Sequence, residues 1–215
     1  MTDASLRESI CALAKSMYDR GLTGGSTGNI SARTSDGGLL VSPTGISFGR
    51  LDPGRLSRFD VAGVLIDGDK PTKEMPLHSA FYDTRSTAGA IVHLHSCHSV
   101  ALSMMPDVDA DNFLPPVTPY GIMKLGKVKL LPFFLPGDPA LGEAVRGLSG
   151  KRCAVMLANH GPVVAGKDIE AACNAIEELE DTARLAMMIR GFNPRMLTQA
   201  EQQAVITKFD VEWDT

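Results

Sequence analysis

The first apolar positions in the chain recur at a helical period. Leu6, Ile10, Leu13 and Met17 share one face and Gly21 follows as a C-terminal stop, which predicts an amphipathic opening helix. The pattern then changes to short runs broken by turn residues. Residues 30–33 and 39–42 flank Asp36-Gly37-Gly38 and predict a β-hairpin, and Pro43-Thr44-Gly45 closes its second strand. A further strand is predicted over 61–66, ended by Asp67-Gly68. Pro76 suits the first turn of a helix running to about Arg85, where its missing N–H costs nothing. Strands follow over 90–95, 127–131 and 153–158, with a short continuation at 162–165 after the His160-Gly161 turn. Asp168 caps the longest helical pattern, which carries Ile169, Ala172, Cys173, Ile176, Leu179 and Ala183 on one face and stops at Gly191. Thr198 and Glu201 form a capping box that starts a last helix.

Several of these strands connect through hairpins instead of regular β-α-β alternation. The expected fold is therefore α/β, a three-layer αβα sandwich around a mixed, largely antiparallel sheet. Nothing resembles a linker, so residues 1–215 are expected to form a single domain.

Composition narrows the function classes. With 44% hydrophobic and 21% charged residues the chain is expected to fold and not to be disordered. A formal charge of −4 with no basic run argues against a nucleic-acid surface. The first residues contain acidic groups and no apolar core, and no run reaches the roughly eighteen apolar residues of a membrane span, so a cytoplasmic protein without membrane contact is expected. Cys11, Cys97, Cys153 and Cys173 are widely spaced and read as reduced, mainly packed thiols.

The stretch Ala90-Ile-Val-His-Leu-His-Ser-Cys-His98 begins as a buried strand and yet carries three of the five histidines. Strand alternation would set His93 and His95 on one face, where buried imidazoles need hydrogen bonds or a metal. Two satisfied histidines are one reading, and a cation held by both is the other. Glu74 and His160, the latter ending an apolar run, complete a candidate set of three nitrogens and one oxygen, for which Zn²⁺ is the default and Mn²⁺, Fe²⁺ or Co²⁺ are alternatives. Cys97 is a further candidate, although such a set needs no thiolate. His78 and His98 read as supports behind the ligands or as structural residues.

Two turns, Gly24-Gly-Ser-Thr-Gly-Asn29 and Ser42-Pro-Thr-Gly45, together with Lys70-Pro-Thr-Lys-Glu74, offer Ser26, Thr27, Asn29, Thr44, Thr72 and Lys73 as donors. By spacing alone these are ordinary Gly/Ser turns. What points them toward a phosphate monoester is that Thr72-Lys73 abuts Glu74.

Taken together, Gly28-Asn-Ile-Ser31, Ser42-Pro-Thr-Gly45, Lys70-Pro-Thr-Lys-Glu74 with His78, His93-Leu-His95 and Asn159-His-Gly161 resemble the class II (zinc) aldolase/adducin head-domain family, in order along nearly the whole chain. The resemblance implies Glu74, His93, His95 and His160 as the metal site, with Glu74 also the acid/base. It implies Ser26, Asn29, Thr44, Gly45, Thr72 and Lys73 as the phosphate site. Family members also draw a tyrosine from a neighbouring subunit, and Tyr120 is similar in position, which implies Tyr120 as a catalytic residue that, with or instead of Glu74, relays the proton, and a homotetramer with its sites at subunit interfaces. The C-terminal stretch Phe209-Asp-Val-Glu-Trp-Asp-Thr215 is similar in place to a tail that covers the site in fuculose-phosphate aldolase.

Within the family, the segments around 93–103, 113–126 and 136–139 look closest to the 3-oxo-tetronate 4-phosphate decarboxylases of four-carbon sugar-acid catabolism. The implied reaction is metal-dependent loss of carbon dioxide through an enediolate to give dihydroxyacetone phosphate. The alternatives are an aldolase or epimerase acting on a sugar phosphate such as L-fuculose 1-phosphate and, more distantly, a non-catalytic adducin-like module.

Overall fold

The structure is a computed structural model that describes residues 1–213; the last two residues of the predicted tail, Asp214 and Thr215, lie outside the described residues. Helix α1 (Asp3–Asp19) is followed by strands β1 (Asn29–Arg33), β2 (Leu39–Val41), β3 (Ser57–Phe59) and β4 (Leu65–Asp67). Helix α2 (Met75–Thr84), strand β5 (Ala90–His93) and helices α3 (Cys97–Ser103) and α4 (Pro119–Leu125) come next. Strand β6 (Lys129–Leu131), helix α5 (Pro139–Arg146), strands β7 (Ala154–Leu157) and β8 (Gly161–Gly166), and helices α6 (Ile169–Ile189) and α7 (Gln199–Phe209) complete the chain.

The strands form one sheet in the order β4-β3-β2-β1-β5-β8-β7-β6, in which the β6–β7 pair is parallel and the other pairs are antiparallel. Side-chain alternation divides its central strands between two apolar layers. Ala90 and Val92 of β5, Ala154 and Met156 of β7 and Val164 of β8 pack with α1, α3, α4 and α6. Ile91, Val155, Leu157, Val163 and Ala165 face the other way, toward Leu77 and Phe81 of α2 and Leu141 and Val145 of α5. Burial on both faces is why these strands read as nearly continuous apolar runs. The predicted three-layer sandwich is the observed one.

The helix caps form as the sequence predicts. Asp168 accepts from the backbone N–H of Ala171, and Thr198 and Glu201 complete both halves of the capping box. Gly191, just beyond α6, takes a φ of 85° that disfavours other residues.

Other elements depart from the pattern. The strand expected at 61–66 is displaced to the exposed edge strand β4, because Asp60 and Gly63 close a turn first. Helices α3, α4 and α5 were absent from the periodic reading. Strand β5 stops at His93, two residues short of the predicted end, but Leu94 still donates its N–H to the Pro162 carbonyl and packs with Ala90 and Val92, so His95 keeps to the same side as His93. The described part of the tail, 210–213, lies at α4: the Glu212 carboxylate pairs with Arg85 at 2.6 Å, and its backbone oxygen closely approaches Gly126.

Candidate metal and phosphate site

The site lies where three neighbouring strands end or begin. The register sets Asn29 of β1 opposite His93 of β5, and His93 opposite Val163 of β8. Residues 158–160 form the tight β7–β8 connection, which aims His160 back across the end of β5. Asn159 adopts a left-handed φ of 59°, a conformation asparagine tolerates, and its N–H donates to Ser103 Oγ at 3.0 Å. Two glycines let the backbone close around the histidine segment. A Cβ at Gly161 would stand 2.0 Å from the Leu94 carbonyl oxygen, and one at Gly28 would stand 2.9 Å from that of His93.

This packing gathers His93, His95 and His160 into one cluster whose ligand atoms lie within 4.8 Å of one another. Ring centroids are 4.8 to 4.9 Å apart, and the planes are tilted or edge-on instead of stacked. Glu74, at the N-cap of α2, borders the cluster: Oε2 is 3.3 Å from His93 Nε2 and Oε1 is 3.5 Å from His160 Nε2. Cys97 is exposed at the start of α3 and does not belong to this group. His98 turns away to Glu180, which accepts from His98 Nδ1 at 2.8 Å and from the backbone N–H groups of His98 and Ser99.

The donor set fits a divalent cation on an independent observation. Glu74 Oε1, His93 Nε2 and His160 Nε2 are buried atoms with no hydrogen-bond partner. Such atoms are costly unless something else fills their valence. His93 Nδ1 lies 2.9 Å from the Pro162 carbonyl oxygen, which can only accept, so the proton sits on Nδ1 and the Nε2 lone pair is left bare. Burial, reinforced by repulsion from His93, lowers the His160 pKa and brings that of His95 down to about 4, which favours the neutral imidazoles a cation requires. Burial pushes the Glu74 pKa up, but His93, the Asn29 donor and His160 together outweigh it, so the net shift is downward and favours the carboxylate.

The predicted phosphate residues divide into two groups. Loops 42–45 and 70–74 are joined by Thr44 N–H to the Lys70 carbonyl, Thr72 N–H to the Ser42 carbonyl and a bridge between Pro43 and Pro71. They bring Thr44, exposed Gly45, buried Thr72 and exposed Lys73 beside Glu74. Ser26 and Thr27 are exposed on the loop that leads into Asn29. The Asn29 carboxamide is already engaged, donating through Nδ2 to Glu74 Oε2 at 2.7 Å and meeting His78 Nε2 with Oδ1. Tyr120 is 58% exposed on α4, and among the described residues no hydrogen bond or ring contact ties it to the histidines. Sequence reading quoted Ser31 within a motif but gave it no role, and it missed Tyr82, which with Ser31 follows His78 inward, and Glu180, which anchors α3; their partners are far away in the chain and leave no local pattern.

The Class II Aldolase and Adducin N-terminal domain family matches residues 8–187. The 3-oxo-tetronate 4-phosphate decarboxylase of Haemophilus influenzae is 45% identical over 94% of this chain and 96% of its own length. The protein of that name from Escherichia coli K12 is 43% identical over 93% of this chain and 94% of its own. The solved structure of Escherichia coli YgbL superposes with a TM-score of 0.92 at 41% identity, covering 94% of this chain and 98% of that one. The fold, the order of the motifs and these full-length likenesses agree: the chain belongs to the class II aldolase and adducin N-terminal domain family.

Proposed function

We propose that this chain is a carboxy-lyase that converts 3-oxo-tetronate 4-phosphate to dihydroxyacetone phosphate and carbon dioxide. Its near full-length likeness to decarboxylases of that name carries the reading, and the site supports it by pairing a cation-ready cluster with an anion-ready turn. Glu74, His93, His95 and His160 would hold the metal, which we assign as Zn²⁺ on the donor set of three nitrogens and one oxygen. Bound there, the cation supplies Lewis acidity to a carbonyl oxygen that gains negative charge.

The substrate has a carboxylate at C1, a hydroxyl at C2, a ketone at C3 and a phosphate at C4. When the C1–C2 bond breaks, its electron pair passes to the C3 carbonyl, carbon dioxide leaves and an enediolate remains. One proton added at C2 completes the product, so no side chain needs to abstract a C–H proton. Lys73, Thr72, Thr44, Ser26 and the backbone of Gly45 and Asn29 fix the phosphate in this reading, holding C1–C2 over the histidines. Glu74 could carry the proton to C2 only after giving up its place as a ligand, because a carboxylate held by a cation is a poor acid; Tyr120 is the other group we assign to this proton transfer. The exposure of Tyr120 suits a role in a second copy's site, and with it we propose a homotetramer in the cytoplasm.

The test is to incubate the zinc-loaded protein with 3-oxo-tetronate 4-phosphate, made in situ by an oxidase and a kinase, and to follow both products. Equal, metal-dependent release of carbon dioxide and dihydroxyacetone phosphate is expected. Cleavage of L-fuculose 1-phosphate with neither product formed from the sugar acid would replace this reading with an aldolase.

A further inference from the structure

Behind Glu74 runs a buried row of polar groups that the reaction does not use. Glu74, His78 and Tyr82 recur every four residues and form one stripe of α2. Asn29 and Ser31, two apart in β1, form a matching stripe, since four helical residues rise about 6 Å and two strand residues about 7 Å. The stripes interlock. Tyr82 Oη lies 2.9 Å from Ser31 Oγ, Ser31 Oγ lies 2.7 Å from His78 Nδ1, and His78 Nε2 meets Asn29 Oδ1, whose own Nδ2 donates to Glu74 Oε2 at 2.7 Å. His78 and Ser31 are fully buried.

The chemistry of the two ends sets the polarity of the row. A carboxylate accepts and an amide nitrogen only donates, so Asn29 must turn its NH₂ to Glu74 and its oxygen to His78. His78 Nε2 therefore carries the proton. His78 is fully buried with an amide oxygen on one ring nitrogen and a hydroxyl on the other and no carboxylate on either, so the imidazole is neutral, Nδ1 is bare and accepts from Ser31, which accepts in turn from Tyr82. The opposite tautomer would set two lone pairs facing each other at Asn29 Oδ1. Turning the amide to relieve that contact would bring an oxygen against the Glu74 carboxylate.

We propose that His78, held as the Nε2–H tautomer by Ser31 and Tyr82, is a positioning residue that orients the Asn29 amide, ties down Glu74 Oε2 and leaves Oε1 as the free ligand atom. The inference rests on Glu74, His93, His95 and His160 being the cation site and is independent of the identity of the substrate. His78 acts through Asn29 and touches no ligand itself.

Nitrogen-15 NMR of histidine-labelled, zinc-loaded protein reads the tautomer directly, and chelator competition reads zinc affinity without any turnover. His78 is expected to bear its proton on Nε2. His78→Leu, which removes the donor, should weaken zinc binding about 10- to 100-fold. His78→Gln, whose amide N–H can still donate to Asn29, should restore affinity to within about threefold. Ser31→Ala and Tyr82→Phe, milder changes in case His78→Leu fails to fold, should raise the Nδ1–H population of His78. A proton found on Nδ1, or wild-type zinc affinity in His78→Leu, overturns the proposal. So does failure of His78→Gln to outperform a folded His78→Leu. If the affinity and tautomer pattern holds while no decarboxylation is seen, the functional reading falls and the positioning role stands.

Discussion

Gly161→Ala offers a test of how tightly the histidine segment is clamped. Gly161 opens β8 directly after His160, and an added methyl would sit 2.0 Å from the Leu94 carbonyl oxygen and 3.2 Å from His93 Cε1. Ordinary contact is about 3.5 Å, so the backbone must yield by more than an ångström. The peptide that must move joins Leu94 to His95 and lies between the two histidines. Overpacking of this kind costs about 1–3 kcal/mol of stability. The functional effect should be larger than that figure suggests, because the strain falls on ligand geometry: zinc affinity is expected to fall about 10- to 100-fold, and a 1 Å misplacement can cost about 100-fold in rate. Gly191→Ala is the control. Its φ of 85° strains alanine by about 1–2 kcal/mol, but no atom lies within 4 Å of the added methyl. Urea titration should show comparable stability losses for the two variants, and chelator competition should show lost zinc affinity for Gly161→Ala alone. Wild-type zinc affinity in Gly161→Ala would refute the clamp, as would an equal loss in Gly191→Ala.

Three further outcomes follow from the same geometry. Glu74→Gln should lower zinc affinity about 10- to 100-fold and kcat with it, while KM changes by no more than about threefold; a raised KM with kcat and zinc retained would count against Glu74 as ligand and proton carrier. Lys73→Met should raise KM for the phosphorylated substrate about tenfold or more and leave kcat near wild type, because an exposed cation beside the anion turn contributes binding common to ground and transition states; steady-state kinetics showing the reverse split would assign Lys73 to the chemistry. For the apoprotein, stability should decline as the pH falls from about 6.5. His95 and His78 titrate near 4 and 3 in the folded chain, so between those values and 6.5 the unfolded chain binds more protons, at up to about 1.4 kcal/mol per pH unit for each histidine. The lowered Glu74 pKa acts in the same sense below about 4.5. A urea midpoint that is flat or rising from pH 7 to pH 5 would contradict these environments.

What the sequence made legible, and what it hid, divides along a physical line. The candidate ligands could be picked out because each is an anomaly in a local pattern: histidines in an apolar run, a carboxylate before a proline-started helix, a histidine at a strand's end. The pairing of His93 with His95 follows strand alternation carried just past the end of β5, since Leu94 still packs with Ala90 and Val92 while the two imidazoles meet in the histidine cluster. What the sequence pattern does not show is how closely the segment is clamped: Gly28 and Gly161 let neighbouring backbone approach it from both sides. Helix α5 had a readable signal that periodicity alone passes over, since Asp138 caps it, Pro139 opens it and Leu141 and Val145 face inward. Helix α3 had none: Glu180, 81 residues further along, caps its first turn. Asn29 was read as a phosphate donor from its glycine-rich neighbours, whereas its side chain is committed to Glu74 and His78, a use that exists only once α2 lies across β1. A residue's capacity to bind a metal belongs to the residue, but its readiness belongs to its partners. The Pro162 carbonyl selects the tautomer of His93, the Asn29 amide occupies one oxygen of Glu74, and Ser103 pins the turn that aims His160. Each partner comes from a different element, so the chemistry of this site could be suspected from the chain but its preparation could be read only from the fold.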